Sequence, residues 1–263
     1  MTTAARTYAF RALAVLSAAA LAACSDATAP AATRIVSLSF AARSTVGVPT
    51  PAARLGALDV TISDGTHALV LTRVQMVLRE VELERRASAG CAAGAGDDCA
   101  ELEIGPTLVE IPLAGGVVSP LSVRVPAGDY EHVDLRWRKP DDETADDLAF
   151  QRAHPELRDA SVRVEGTFDG RPFTYTSDVD ARQRIALTAP LTVDKDGANL
   201  TVSVDVSGWF RRADGSLIDP ATAMPRQPNA ALVLANMVAS FGAFADDDRD
   251  GRDDHGQDGP NHH

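Results

Sequence analysis

The chain has 263 residues, 45% of them hydrophobic and only 5% aromatic, enough apolar material for one large cored domain or two small ones. Its 25 Lys and Arg against 37 Asp and Glu give a formal charge of −12. So acidic a chain makes a poor nucleic-acid binder, because that binding rests on basic groups neutralising phosphates.

At the start, Arg6 and Arg11 precede an apolar run from Ala12 to Ala20. The run is too short to span a bilayer, which takes about 20 apolar residues. It ends in Leu21-Ala22-Ala23-Cys24. Small residues before a cysteine at that place resemble the lipobox of bacterial lipoproteins. The resemblance implies cleavage before Cys24, a diacylglyceryl group on its sulfur, acylation of the new amino terminus with palmitate-like chains, and a place in the bacterial cell envelope. Ser25 stands where an inner-membrane retention signal has aspartate, so the outer membrane is expected. Each buried methylene contributes about 0.8 kcal/mol, so two or three acyl chains anchor stably where one does not. Residues 1–23 are thus read as signal peptide and 24–54 as lipidated cysteine and tether. Cleavage removes Arg6 and Arg11 and leaves 23 basic against 37 acidic residues, a charge of −14.

Residues 25–33 (SDATAPAAT) suit a tether, Arg34 to Phe40 form a candidate strand, and the Pro- and Gly-containing stretch from Arg43 to Arg54 should be irregular. From Leu55 the pattern is that of strands. Leu58, Val60 and Ile62 alternate up to an Asp64-Gly65 turn, and Leu69 to Arg85 is β-branched with a phase slip near Val77-Leu78, the mark of a bulge. Cys91 and Cys99 flank a small-residue loop; in an exported chain such a pair predicts a disulfide that stabilises by about 2–3 kcal/mol. Further short strands follow around Leu102, Val109 and Leu121, then a Pro126-Ala127-Gly128-Asp129 turn and the alternating Val133, Leu135 and Trp137. Residues 141–147 (DDETADD) carry −5 and predict a solvated loop, with a cation site as the lesser alternative. A helical turn is expected between Leu148 and Leu157. Strands resume at Val162, at Phe173 after an Asp169-Gly170 hairpin turn, at Ile185, at Leu191, and from Leu200 to Val206 after a Lys195-Asp196-Gly197 turn. Short strands with turn signals every ten residues or so predict an all-β fold, an immunoglobulin/transthyretin-like β-sandwich over 55–210. Residues 211–244 read as a Pro-rich connector and one C-terminal helix, capped by Asn229 and burying Leu234, Val238 and Phe241, with Phe244 beyond.

The order of turns resembles an uncharacterised bacterial lipoprotein domain family of unknown function. The resemblance covers residues 55–210 and is carried by Gly56, Leu58 and Val60, by Pro126, Ala127, Gly128 and Tyr130, and by Val164, Gly166 and Gly170. It departs at Ser63-Asp64-Gly65-Thr66, where the family would have Thr-Asp-Ala-Pro. These are turn and core positions, so they imply fold alone.

The acidic tail, 245–263, holds seven aspartates against Arg249 and Arg252 and contains the best-formed motif. Asp246, Asp248, Asp250 and Asp254 take positions 1, 3, 5 and 9 of a calcium loop, and Gly251 takes position 6, where the sharp bend needs glycine. The run resembles the loops of EF-hands, dockerins and thrombospondin type 3 repeats, except that Gln257 replaces the bidentate glutamate at position 12. The competing reading is an acidic, solvating tail. His255, His262 and His263 invite a transition-metal reading, but with no strand or helix to fix them adventitious binding is the leading expectation and a specific site the lesser one.

His67, His132 and His154 lie in separate segments, and no GxSxG, HExxH, phosphate-loop or dinucleotide fingerprint is present. The leading expectation is a non-enzymatic binding or structural module, tethered to the membrane and facing an envelope protein or glycan. A calcium-dependent adhesin or glycan binder comes next, and a hydrolase with a dispersed site last. Exposed Trp137 or Trp209 would favour glycans, although both read more simply as core.

Overall fold

The computed structural model describes residues 33–43, 59–86 and 100–254, with the backbone alone given at 100–103. Cys24, the Cys91–Cys99 disulfide, Gly56, Leu58 and residues 255–263 lie outside the described residues. The strands are β1 (Thr33–Arg43), β2 (Val60–Ser63), β3 (Ala68–Arg85), β4 (Ala100–Glu110), β5 (Val117–Pro126), β6 (Gly128–Trp137), β7 (Val162–Phe168), β8 (Arg171–Ser177), β9 (Ala181–Val193), β10 (Ala198–Asp205) and β11 (Phe241–Ala245). Two helices interrupt them, α1 (Ala145–Ala153) and α2 (Ala230–Val238). The fold is all-β. Its strands join in one mixed sheet of order β5-β1-β10-β11-β9-β6-β3-β7-β8, with β2 and β4 also paired to β3. The sheet curls until its two halves meet: Phe40 of β1 lies edge-on to Trp137 of β6 at 6.0 Å, and Trp137 stacks on Phe241 of β11 at 5.4 Å. No helix among the described residues is long and apolar enough to cross a membrane.

The long strand β3 organises one half. Leu71 lies between Val60 of β2 and Gly166 of β7, Met76 between Val109 of β4 and Val162 of β7, and Val81 between Leu102 of β4 and Leu135 of β6. It follows that β2 and β4 share one edge of β3, while β7 and β6 follow one another along the other. The expected bulge lies at Arg79, where the register against both β4 and β6 jumps from Leu78 to Glu80. A second slip falls between Leu71 and Arg73. The core-facing set therefore changes phase twice, from Leu69 and Leu71 to Val74, Met76 and Leu78, then to Val81 and Leu83, all buried. Without these slips one-residue shifts would turn the apolar set to solvent.

The Asp169-Gly170 hairpin is as expected. Both residues have positive φ, 50° and 76°, the type I′ form whose twist suits flanking strands. The turn at Lys195 to Gly197 also forms, with Gly197 at φ 90° and packed against β1, where a Cβ would lie 2.3 Å from the Ile35 carbonyl oxygen. Beyond the Asp194–Gly197 bridge, however, the strands on either side part, and β11 enters between them, antiparallel to β10 and parallel to β9.

The sheet extends past 55–210 at both ends. β1, in the stretch read as tether, lies between β5 and β10. β11, in the stretch read as connector and helix, is an interior strand. The buried face of α2 is Val233 and Met237, whereas Leu234 and Val238 are half-buried. The helix stops at Val238 and the chain extends, so Phe241 and Phe244 belong to the sheet and the helical stripe could not be carried through them. Asn229 precedes α2 but makes no side-chain cap bond to it.

Candidate metal centre

The C-terminal aspartate run is folded onto the sheet. From β11 the ladder continues one step, with Asp246 N donating to Asn199 O at 3.2 Å, and the chain then turns back across β10 and β1. Arg249, at φ 60°, donates from Nε and Nη2 to Asn199 Oδ1 (3.0 and 2.8 Å) and from Nη2 to Ser37 Oγ (3.2 Å). Gly251, at φ 82°, lies so close to β5 that a Cβ would sit 3.2 Å from Val117. The run is thus seated at Asp246, Arg249 and Gly251, while the side chains of Asp247, Asp248 and Asp250 remain exposed.

Asp246 is fully buried. Its carboxylate accepts from Thr201 Oγ1 (2.6 Å), Asp250 N (3.0 Å) and Gly251 N (3.0 Å). Asp248 accepts from Asp250 N at 3.1 Å, and Asp254 from Asp247 N at 2.6 Å. Asp246, Asp248 and Asp254 each offer an oxygen, and these lie within 4.8 Å of one another. Positions 1, 3 and 9 of the expected loop thus converge. Asp250, position 5, stands outside the group, because its carboxylate turns to Arg252 N at 2.8 Å. Three carboxylates this close repel one another, and hard oxygen donors so gathered fit calcium, which takes six to eight oxygens in flexible geometry. Arg249 is engaged elsewhere and leaves that charge unbalanced.

Within the 141–147 segment, residues 142–146 are exposed, as a solvated loop would have them, and the exception is Asp147. Asp147 is fully buried and meets the nearly buried Arg79 through both guanidinium nitrogens. Its N–H is held by the N-cap Thr144, and Asp141 pairs with Arg138 at 3.1 Å. Burial alone would push the Asp147 carboxyl up, but hydrogen bonds from Arg79 and Thr144 outweigh it and hold the group below its ordinary value. These pairings engage two of the segment's five acids, Asp141 and Asp147, with arginines.

The histidines do not assemble a catalytic constellation. His67 Nδ1 lies 2.7 Å from Asp169 Oδ2, joining the β2–β3 and β7–β8 turns, with both side chains more than two-fifths exposed. Ser63 Oγ faces His67 O and Gly65 N, away from the imidazole. His132 lies 4.0 Å from Glu84 and His154 3.8 Å from Glu156, each at its own place on the surface. Trp137 and Trp209 are core, as expected, and neither offers a face for sugar stacking. Local pattern gives no sign of the His67–Asp169 pair, because 102 residues separate the partners and both occupy ordinary turn positions.

That pair has a pH signature. Asp169 raises the His67 pKa above 6.5, and backbone N–H groups of His67, Leu217 and Thr66 lower Asp64 to about 2. A raised histidine stabilises fully below its unfolded value and loses that contribution as pH rises through the folded one; a lowered carboxylate contributes above 3.8 and loses it as pH falls towards 2. Urea midpoints should therefore be highest between about pH 4 and 6.5. His67→Gln should flatten the alkaline decline, and an unchanged profile would show that the pair contributes nothing.

No protein-family model matches the sequence, and no curated protein does either. Among solved structures the chain is similar to MbnP from Methylosinus trichosporium, at 12% identity and a TM-score of 0.42, over 81% of this chain and 99% of that one. At that distance no residue role passes from one to the other.

Proposed function

We propose that this chain is a bacterial envelope lipoprotein, cut before Cys24 and held by acyl chains at the outer membrane, whose β domain acts as a non-enzymatic binding or structural module. We further propose that its C-terminal loop binds calcium. The observation that carries the calcium reading is the docked loop, with Asp246 buried and Asp248 and Asp254 brought to it. Support for the anchor comes from Leu21-Ala22-Ala23-Cys24, and for the non-enzymatic reading from a His67–Asp169 pair whose neighbouring Ser63 hydroxyl bonds to backbone groups of the turn. The partner in this reading is an envelope protein or a glycan. The resemblance to the lipoprotein domain family gains a physical sense at Pro126 to Tyr130. Gly128 has φ 151°, and the buried Tyr130 donates its hydroxyl to Pro126 O at 2.7 Å. Such a bond to backbone just upstream is the tyrosine corner of immunoglobulin-like sandwiches, and it supports that finer class for the curled sheet.

Calorimetry of the whole chain with calcium should give a Kd of about 10⁻⁴–10⁻³ M, the extracellular range. Asp248→Asn with Asp254→Asn should remove the heat. Heat retained in that variant, or none from the parent at millimolar calcium, would sink the metal reading. The anchor is tested separately: Cys24→Ala should move the protein from the membrane to the soluble fraction.

A further inference from the structure

Against α2 lies a cleft of about 180 Å³ that plays no part in the calcium or lipid readings. Its floor is the end of β8, where Tyr175 and Ser177 are buried and their side chains hydrogen-bond each other. Its walls are apolar and mostly short, with Val179, Ala223, Pro225, Ala231 and Leu234 among them. Asp178 stands at the rim, exposed, with no hydrogen bond or ion pair to another side chain among the described residues. Many of the domain's other acids are engaged, among them Glu80, Asp141, Asp147, Asp169 and Asp180.

We infer that this cleft is a binding site for a small neutral molecule with a compact apolar body and a single hydroxyl, of the size and polarity of phenol. The volume sets the size: an engineered apolar cavity of about 150 Å³ already admits benzene. The walls set the body, since apolar lining with a few placed polar groups is the general form of a ligand site. The polar groups set the head. Asp178 accepts a hydrogen bond, and the bonded Tyr175 and Ser177 hydroxyls have one proton between them left to donate, so the matching group both donates and accepts. Asn229 does not cap the first turn of α2, whose Ala230 and Ala231 line the cleft; it turns instead to Thr222 Oγ1 at 2.8 Å. Of that turn's N–H groups Ala230 donates to Gln227 O and Val233 to Asn229 O, which leaves those of Ala231 and Leu232 as further donors, suiting an oxygen and disfavouring an ammonium.

The test is a titration of the whole chain with phenol, followed by amide chemical shifts. Saturable shifts confined to residues 175–179, 223–225 and 230–234 are expected. Toluene, which fills the same volume without a hydroxyl, should bind at least tenfold more weakly. Ala231→Leu, at an exposed position that the fold tolerates, should fill the cleft and abolish the shifts, while Asp178→Asn should weaken phenol several-fold. Shifts that do not saturate or that spread over the surface would overturn the site. Toluene binding as well as phenol would overturn the hydroxyl assignment.

Discussion

Gly166→Ala is expected to lower stability by about 3 kcal/mol or more, at or above the top of the range for overpacked interiors. Gly166 sits on β7 opposite Leu71, where the register of β3 slips before Arg73 and the two backbones close up. A Cβ there would lie 1.9 Å from the Val70 carbonyl oxygen and 3.1 Å from the Phe173 ring. The obstacle is backbone within a paired strand, so no side-chain rotation relieves it. Gly170→Ala serves as the comparison. Nothing lies within 4 Å of its added Cβ, and only the φ of 76° is unfavourable, a cost of about 1–2 kcal/mol. Urea denaturation of the two variants should rank them in that order; equal midpoints would show that β7 and β3 do not approach so closely.

Asp147→Ala is expected to lose about 3–5 kcal/mol, because it strands the Arg79 charge where water does not reach. The bulge at Arg79 and the capped first turn of α1 exist together around this pair; α1 seats Phe150 against Val77, and the 3-10 turn after it, Pro155–Leu157, adds Leu157 to the same cluster. Replacing both partners by apolar residues, Arg79→Met with Asp147→Leu, should recover most of the loss, since the pair's attraction largely offsets its own desolvation. A double variant as unstable as the single one would mean that the pair contributes through its geometry as well as its charge. Because the Asp147 carboxyl is held below its ordinary value, its contribution is present above about pH 4 and is lost as pH falls through the folded value.

Several elements are legible in the order of residues alone. The alternation of Val60 and Ile62 and of Val133 to Trp137 marks strands that bury one face, and Asp169-Gly170 marks a type I′ turn, because these signals live within a few residues of chain. The phase slip in β3 is visible for the same reason. The extension of the α2 stripe through Phe241 fails because a helix and a strand can share an apolar run, and only the opening between β9 and β10 decides which forms. The Asp147 carboxylate looks in sequence like one acid among five in a solvated loop. Nothing near it in the chain announces Arg79, which is 68 residues away.

The tail shows the same division within one motif. Spacing proposes Asp246, Asp248, Asp250 and Asp254 as a converging set, and three of the four, Asp246, Asp248 and Asp254, come together while Asp250 turns to Arg252 N. Whether that loop is seated or solvated depends on partners from three other strands: Thr201 and Asn199 on β10, Ser37 on β1 and Val117 on β5. By itself the sequence determined the exported, lipoprotein-like leader as an expectation, the all-β class, most turns and the acidic motif, because each rests on local periodicity or spacing. Only the tertiary structure decided the curl of one sheet, the insertion of β11, the burial of Asp147 with Arg79 and the docking of the tail, because each depends on contacts between residues distant in the chain, whose pairing local pattern does not encode.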